Sequence, residues 1–458
     1  MSRVDEMNCV DQPDIFRPNV RGRFPGHKFA SFDALDRDWF HPEAVTYGGP
    51  MPRRLPFTVV TKPTGAACNL NCTYCFFLSK EKLYPHDTLR MSPAVQERYI
   101  RAYLAAQPDG DVTLTWQGGE PTLMGLDFFR RACELVRRYA RPRQRVQQSI
   151  QTNGVLVTDE WAAFFAREGF LVGLSMDGPA DIHDTYRVNK AGRGTYGQVV
   201  RGWEALQRQG AEVNILCTVH AGNQNHSLEV YRHFRDDLGA KYMQFIPIVE
   251  RVLPEDLELA NQGWVDGDGG TRLLYLQHGD AVTERSVNPA AYGRFLSEIF
   301  AEWIAHDVGT VFVQDVDVAL SAMFGQYTLC VHAPECGGAL AVEHNGDVYS
   351  CDHYVEPDYR LGSVLTDDFA DLLCSPSQRS FGRGKRTDLP SQCLRCSVRP
   401  LCHGGCPKDR FIDSEDGEPG LNYLCAGYRH FYETALPGLR AMARLVASGR
   451  EAREVMTS

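Results

Sequence analysis

The sequence predicts an α/β protein in two main parts: a parallel sheet covered by helices, then a smaller cysteine-rich region. Three observations carry this. From Leu55 to about Asp315, short β-branched runs alternate with amphipathic helical stretches, as in parallel strands joined by helical crossovers. From Ala319 to about Tyr432 the texture changes to short segments with many Gly and Pro and nine cysteines. At 458 residues the chain is too long for one ordinary core and has room for two or three domains.

Residues 1–54 mix Pro, Gly and both charges without a period and read as an extension with no recognisable chemistry. Six strands are expected next: Phe57–Thr61, Val112–Trp116, Val146–Gln151, Leu171–Met176, Val213–Val219 and Tyr242–Ile248. Between them Pro93–Ala106, Leu126–Tyr139, Asp159–Arg167, Tyr196–Gln209 and Ser227–Leu238 place apolar residues at helical spacing. A barrel, a partial barrel and a doubly wound sheet all fit this alternation. Arg251–Asn288 breaks the rhythm and reads as an insertion, followed by a helix over Tyr292–His306. The expected boundaries are 1–54 (extension), 55–315 (sheet and helices), 316–435 (cysteine-rich domain) and 436–458 (a terminal helix). The cysteine-rich part has little apolar material and needs a further means of stabilisation.

A formal charge of -10 argues against a nucleic-acid partner, because phosphate recognition needs clustered Lys and Arg. No run approaches the roughly 18 apolar residues of a membrane span. The first twenty residues lack an apolar stretch after a basic start, so the cytoplasm is the expected compartment. There, 15 cysteines read as metal or redox chemistry rather than as disulfides.

Directly after the first expected strand stands Cys68-Asn-Leu-Asn-Cys72-Thr-Tyr74-Cys75. Three thiolates on one short loop can face a common point, and soft sulfur ligands select iron–sulfur clusters or zinc. A structural zinc site closes with four ligands, whereas three leave a metal position open to a small molecule. This run resembles the signature of the radical S-adenosylmethionine (SAM) superfamily. The resemblance implies a partial (β/α)6 barrel in which Cys68, Cys72 and Cys75 hold a [4Fe–4S] cluster whose open iron chelates SAM.

Further SAM contacts follow from the same resemblance. Gln117-Gly118-Gly119-Glu120-Pro121, an ordinary turn when read alone, resembles the motif whose backbone and Glu meet the SAM amino group. Ser175, Arg187 and Tyr74 are further candidates, with the Arg187 guanidinium able to bind a carboxylate as a fork. Asn153 could shape its loop by taking a left-handed conformation.

Cys330, Cys336, Cys351, Cys393, Cys396, Cys402, Cys406 and Cys425 number twice four. Their core, Cys393-x2-Cys396-x5-Cys402-x3-Cys406-Pro with a later Cys425, resembles the SPASM domain, which carries two auxiliary [4Fe–4S] clusters; a twin zinc site is the alternative. The resemblance implies one cluster on Cys330, Cys336, Cys351 and Cys406 and an outer one on Cys393, Cys396, Cys402 and Cys425. That makes three clusters in all. Cys133 and Cys217 read as core residues.

Thr61-Lys-Pro-Thr, Trp116-Gln-Gly-Gly-Glu-Pro-Thr-Leu, Gly173-Leu-Ser-Met-Asp-Gly-Pro, His183-Asp-Thr-Tyr-Arg187, Gln244-Phe-Ile-Pro and Cys351-Asp352-His together resemble the anaerobic sulfatase-maturating enzymes. These oxidise one Cys or Ser of a client sulfatase to Cα-formylglycine, using a 5′-deoxyadenosyl radical made from SAM. The resemblance makes Asp352 the general base and gives Gln117 a part in orienting the client peptide. It also implies an electron donor such as flavodoxin or ferredoxin. Phe77 stands where many such enzymes have Tyr, so a polar role is not expected there. A SPASM enzyme that crosslinks a ribosomal peptide would share both signatures, and a zinc-bound scaffold without activity is a further alternative.

Overall fold

The computed structural model describes residues 56–265 and 270–457; the expected extension 1–54 and Cys9 lie outside the described residues. Strands β1 (Thr58–Lys62), β2 (Gly110–Trp116), β3 (Gln144–Thr152), β4 (Leu171–Ser175), β5 (Glu212–Val219) and β6 (Tyr242–Pro247) lie side by side in chain order. All pair in parallel. The helices Pro93–Ala106, Leu126–Tyr139, Asp159–Glu168 and Tyr196–Gln209 make the first four crossovers. Ser92 caps the first, accepting from Val95 N–H at 3.3 Å, and left-handed Gly169 and Gly210 end the third and fourth, as capping chemistry requires. Ser227–Arg232 is α-helical and continues as a π-turn over His233–Asp237.

Within the expected insertion, β7 (Arg251–Val252) and β8 (Ala281–Val282) form a small antiparallel ribbon. A two-residue strand, β9 (Phe312–Val313), then pairs in parallel with β6 as a seventh member of the series, beyond the six expected. Two residues carry no readable period. Because each crossover returns the chain in the same direction, the C-terminal strand ends share one side, where α/β sheets place chemistry.

The cysteine-rich region contributes β10 (Ala339–Glu343), β11 (Asp347–Tyr349) and β12 (Arg360–Ser363), and these extend the same sheet. Strand β10 pairs in parallel with β1 over five residues, and β11 and β12 follow antiparallel. Leu340, Ala341 and Val342 are fully buried, so this region shares the apolar interior of the larger sheet. The sheet ends in β12 on one side and β9 on the other, an open, partial barrel. A second small ribbon, β13 (Arg410–Ile412) with β14 (Leu421–Asn422), lies among the last cysteines.

Two expected boundaries fall inside helices. The 315/316 boundary cuts Gln314–Ala322, and the terminal helix begins at Cys425 rather than Leu436, running to Ala447 with Pro437 inside it. A proline near an expected start suits a first helical turn, yet here packing carries the helix across it. That helix crosses Pro289–His306 so closely that a Cβ on Gly427 would meet Pro289 O at 2.2 Å. Among the described residues no helix is long and apolar enough to cross a membrane.

Candidate active site

Strand β1 ends at Lys62 and feeds the loop that carries Cys68, Cys72 and Cys75, all free thiols. Burial, then Glu120, then Cys72 and Cys75 push the Cys68 thiol up. Burial pushes Cys72 up to about 12, against the pull of Arg187 and with the push of Cys75. Thiols buried this close together resist ionisation unless a cationic centre offsets the cost, which fits them to a metal cluster. Leu70 N–H and the Asn153 amide approach Cys68 Sγ at 3.4 and 3.7 Å. Among the described residues no three His, Cys or carboxylate side chains gather around a single-ion site. A cluster of several irons spaces its ligands more widely than one ion does.

The β2 loop packs directly against the cysteine loop. Gly119 N–H donates to Gly65 O at 2.8 Å and Glu120 N–H to Ala67 O at 2.9 Å. A Cβ on Gly119 would lie 2.0 Å from Ala67 O, and Gly118 has φ +133. These glycines therefore serve loop-to-loop contact before any ligand contact. Glu120 is buried and accepts from Thr122 N (3.0 Å), Thr122 Oγ1 (2.7 Å), Thr152 Oγ1 (2.8 Å) and Asn153 N (2.8 Å). Its carboxylate ties the loops after β2 and β3 together. Asn153 does not adopt the expected left-handed conformation; Gly154, at φ 77, takes it. The Asn153 side chain instead accepts from Val155 N–H and donates to Asn69.

Asp177, two residues past β4, is a hub that motif reading passed over. It is fully buried, and its oxygens accept from Tyr74 Oη (2.7 Å), Arg187 Nε (2.8 Å) and Nη2 (3.1 Å), and Thr218 N–H (2.9 Å). Burial alone would push its carboxyl up, but Arg187 and His220 hold it well below the usual range. Two arms of the Arg187 fork and the Tyr74 hydroxyl thus face Asp177. The segment around Arg187 reaches the cysteine loop through Asn71 N–H to Val188 O and Thr73 N–H to Tyr186 O. Ser175 ends β4, half-buried, opposite Leu216 on β5.

At the mouth of the sheet a polar chain links three strands to the cysteine-rich region. Gln117 donates to Gln151 Oε1 at 2.8 Å, Lys62 Nζ to Gln117 Oε1 at 3.4 Å, and Lys62 forms an ion pair with Asp352. The Lys62 side chain is 2% exposed and that of Asp352 27%. Phe77 lies under the Lys62 ammonium, 4.0 Å from Nζ to the ring centroid, a cation–π contact available to a ring without a hydroxyl. Burial would push the Asp352 carboxyl up, but Lys62 and then His353 hold it below its ordinary value. Lys62 sat in the Thr61-Lys-Pro-Thr run; nothing there signalled its partner.

By their mutual electrostatic influence the eight C-terminal cysteines divide into two sets. Burial pushes Cys336, Cys351 and Cys406 up, and Cys330 adds to each. Cys406 also acts on Cys351. Cys402 is pushed up by burial, then Cys425 and Cys393; Cys425 by burial, then Cys393 and Cys396. The first group lies against Asp352, which acts on Cys330. Cys133 and Cys217 are buried in a helix and a strand.

Comparison with known proteins follows the same division. The Radical SAM superfamily pattern matches residues 63–234 and the SPASM iron–sulfur cluster-binding domain residues 334–397. SAM and iron–sulfur clusters are thereby implied. The chain is 40% identical over 406 residues to the serine-type anaerobic sulfatase-maturating enzyme of Bacteroides thetaiotaomicron, covering 88% of this chain and 94% of that one. It is 32% identical over 390 residues to the cysteine-type enzyme of Clostridium perfringens, 84% and 97% of the two chains. The solved structure of native anSMEcpe with bound AdoMet and Cp18Cys peptide superposes at TM-score 0.72 with 31% identity, over 85% of this chain and 99% of that one. On this evidence the chain is a radical SAM enzyme with a SPASM domain, and it belongs to the family of anaerobic sulfatase-maturating enzymes.

Proposed function

We propose that this chain oxidises a Cys or Ser of a client sulfatase to Cα-formylglycine, with Asp352 as general base. The observation that carries the proposal is the position of Asp352, ion-paired to buried Lys62 at the strand ends and next to a four-cysteine group.

Cys68, Cys72 and Cys75 would hold the cluster that binds SAM, and the two C-terminal groups would hold one auxiliary [4Fe–4S] cluster each. With SAM bound and an electron from a carrier such as flavodoxin or ferredoxin, the first cluster supplies a 5′-deoxyadenosyl radical. Gly118, Gly119, Glu120, Ser175, Arg187 and Tyr74 would line the SAM site, with Glu120 and Arg187 acting through the loops they tie down, because their polar groups are engaged by Thr122, Thr152, Asn153 and Asp177. Gln117, held between Gln151 and Lys62, would orient the client backbone.

Loss of a Cβ hydrogen atom leaves a carbon radical on the client. To become a thioaldehyde or aldehyde it must shed one electron and the thiol or hydroxyl proton; the thioaldehyde from a Cys then takes up water and releases H2S to give the formyl group. Asp352 would take the proton: Lys62 offsets the cost of burial and keeps its carboxylate ionised, so that it has a free oxygen to accept one. Lys62 keeps the carboxylate aimed. The cysteine group that includes Cys351, the neighbour of Asp352 in sequence, would hold the cluster able to accept that electron.

The test is mass spectrometry of sulfatase-derived Cys and Ser peptides after anaerobic incubation with reconstituted enzyme, SAM and reductant. A loss of about 18 Da from the Cys peptide or about 2 Da from the Ser peptide, together with 5′-deoxyadenosine, is expected. Formation of 5′-deoxyadenosine with both peptides unchanged would move the crosslinking alternative to first place.

A further inference from the structure

Between the two C-terminal cysteine groups lies a pair of cations that no step above uses. Cys402 belongs to one group and Cys406 to the other, so His403, Gly404 and Gly405 form a short covalent link between them. All three are left-handed, with φ of 47, 73 and 61. For His403 such backbone costs about 1 kcal/mol or more, so something must hold it. The turn presents three successive carbonyls to Arg410, whose Nη2 donates to His403 O (2.9 Å) and Gly405 O (3.3 Å) and whose Nε donates to Gly404 O (2.9 Å).

Arg410 Nη1 in turn donates to Lys385 O at 2.7 Å. Lys385 is fully buried on the helix Pro376–Thr387. Its Nζ donates to Cys330 O (2.9 Å), Val331 O (3.0 Å) and Ala333 O, in the segment that carries Cys330 and Cys336. One connected brace therefore joins the crossover between the groups to the backbone of the group beside Asp352. Its charge reaches both, since Arg410 interacts with Cys393 and Cys402 on one side and Cys406 and Cys336 on the other.

We propose that Arg410 and Lys385 are positioning residues that brace the two cysteine groups against each other and raise the reduction potential of the clusters bound there. The inference rests on the reading of these cysteines as cluster ligands. Each electron accepted adds a negative charge, and a nearby fixed cation favours the more negative form. A guanidinium cannot lose its proton in a protein, so its contribution is permanent.

The test is a potentiometric titration followed by electron paramagnetic resonance, on the full chain with Cys68, Cys72 and Cys75 replaced by Ala so that only the C-terminal clusters report. Arg410→Met is expected to retain iron and to shift both signals to lower potential, and Arg410→Lys to shift them less. Lys385→Met is expected to shift chiefly the signal that Cys330→Ala abolishes. Unshifted potentials in Arg410→Met, at the same iron per chain as the parent, overturn the proposal. If Arg410→Met does not fold, unshifted potentials in both Arg410→Lys and Lys385→Met overturn it. A parent chain that binds no iron overturns the cluster reading itself and is distinguishable from either result.

Discussion

Lys62 and Asp352 illustrate how a charge pair can serve a reaction without serving stability. A buried ion pair contributes little net stability, because desolvation offsets the attraction, so its value lies in keeping one carboxylate ionised and aimed. Asp352→Asn is expected to lower client oxidation by about 100-fold or more, while iron content and 5′-deoxyadenosine formation persist. Unchanged oxidation with intact clusters would remove Asp352 as the base. Gly119→Ala acts through packing: the new Cβ would meet Ala67 O at 2.0 Å and must push the cysteine loop away. Loss of the SAM-dependent shift in the first cluster's electron paramagnetic resonance signal is the expected result, with the C-terminal signals kept. His183 supplies a pH dependence. Burial, then Arg187, lowers its pKa to about 3, while the unfolded chain binds the proton near the ordinary histidine value of about 6.5. The unfolded state therefore binds more protons between these values, and stability falls as pH drops through that window, by at most about 1.4 kcal/mol per pH unit from this group. His183→Gln should flatten the fall in urea midpoint between about pH 6 and 5; an unchanged slope would exclude His183 as its source.

At the scale of elements, loops are locked in pairs. The β2 loop is bonded to the cysteine loop, Glu120 ties both to the β3 loop, and Asp177 joins β5 to Arg187 and Tyr74. Each strand end thus braces its neighbour, which keeps a site built from loops rigid. The helix pair Pro289–His306 and Cys425–Ala447 is held by a different device. Gly293 and Gly427 face each other, and a Cβ on Gly293 would lie 2.7 Å from Gly427 O. Gly427→Ala is expected to separate the helices and lower stability by about 1–3 kcal/mol. Because the second helix starts at Cys425, the same change should reduce iron in the group that includes Cys402. Normal melting and iron content in Gly427→Ala would show that the helices can part without disturbing the cysteines.

For the molecule as a whole, β10 lies against β1 over five residues, so the cysteine-rich region completes the sheet as well as adding its own thiols. Truncation after residue 323 would leave β1 with an open edge and expose the face of Pro289–His306 that Cys425–Ala447 covers. The truncated chain is expected to lose near-ultraviolet circular dichroism and to exchange the β1 amides rapidly. Native-like protection of Val59 and Val60 in that chain would mean that the sheet is complete without β10.

The sequence by itself determined the six parallel strands of the series, because apolar or β-branched residues recur in each between helical stretches, and it marked the cysteine loop by spacing alone. It also carried the family likeness, since short motifs survive where chemistry restricts residue choice. Strands β9 and β10 were not legible: two residues show no period, and β10 stands among Gly, Pro and Cys in a region with no alternating helices to mark it, with its partner β1 far off in the chain. Nor were the pairings of Asp177 with Arg187, Lys62 with Asp352 and Arg410 with Lys385, although most of these residues stood in or beside recognised motifs. Only the tertiary structure decided them, because a charge is recognised in sequence by its type, while its partner is selected by the sheet that brings distant loops to one side.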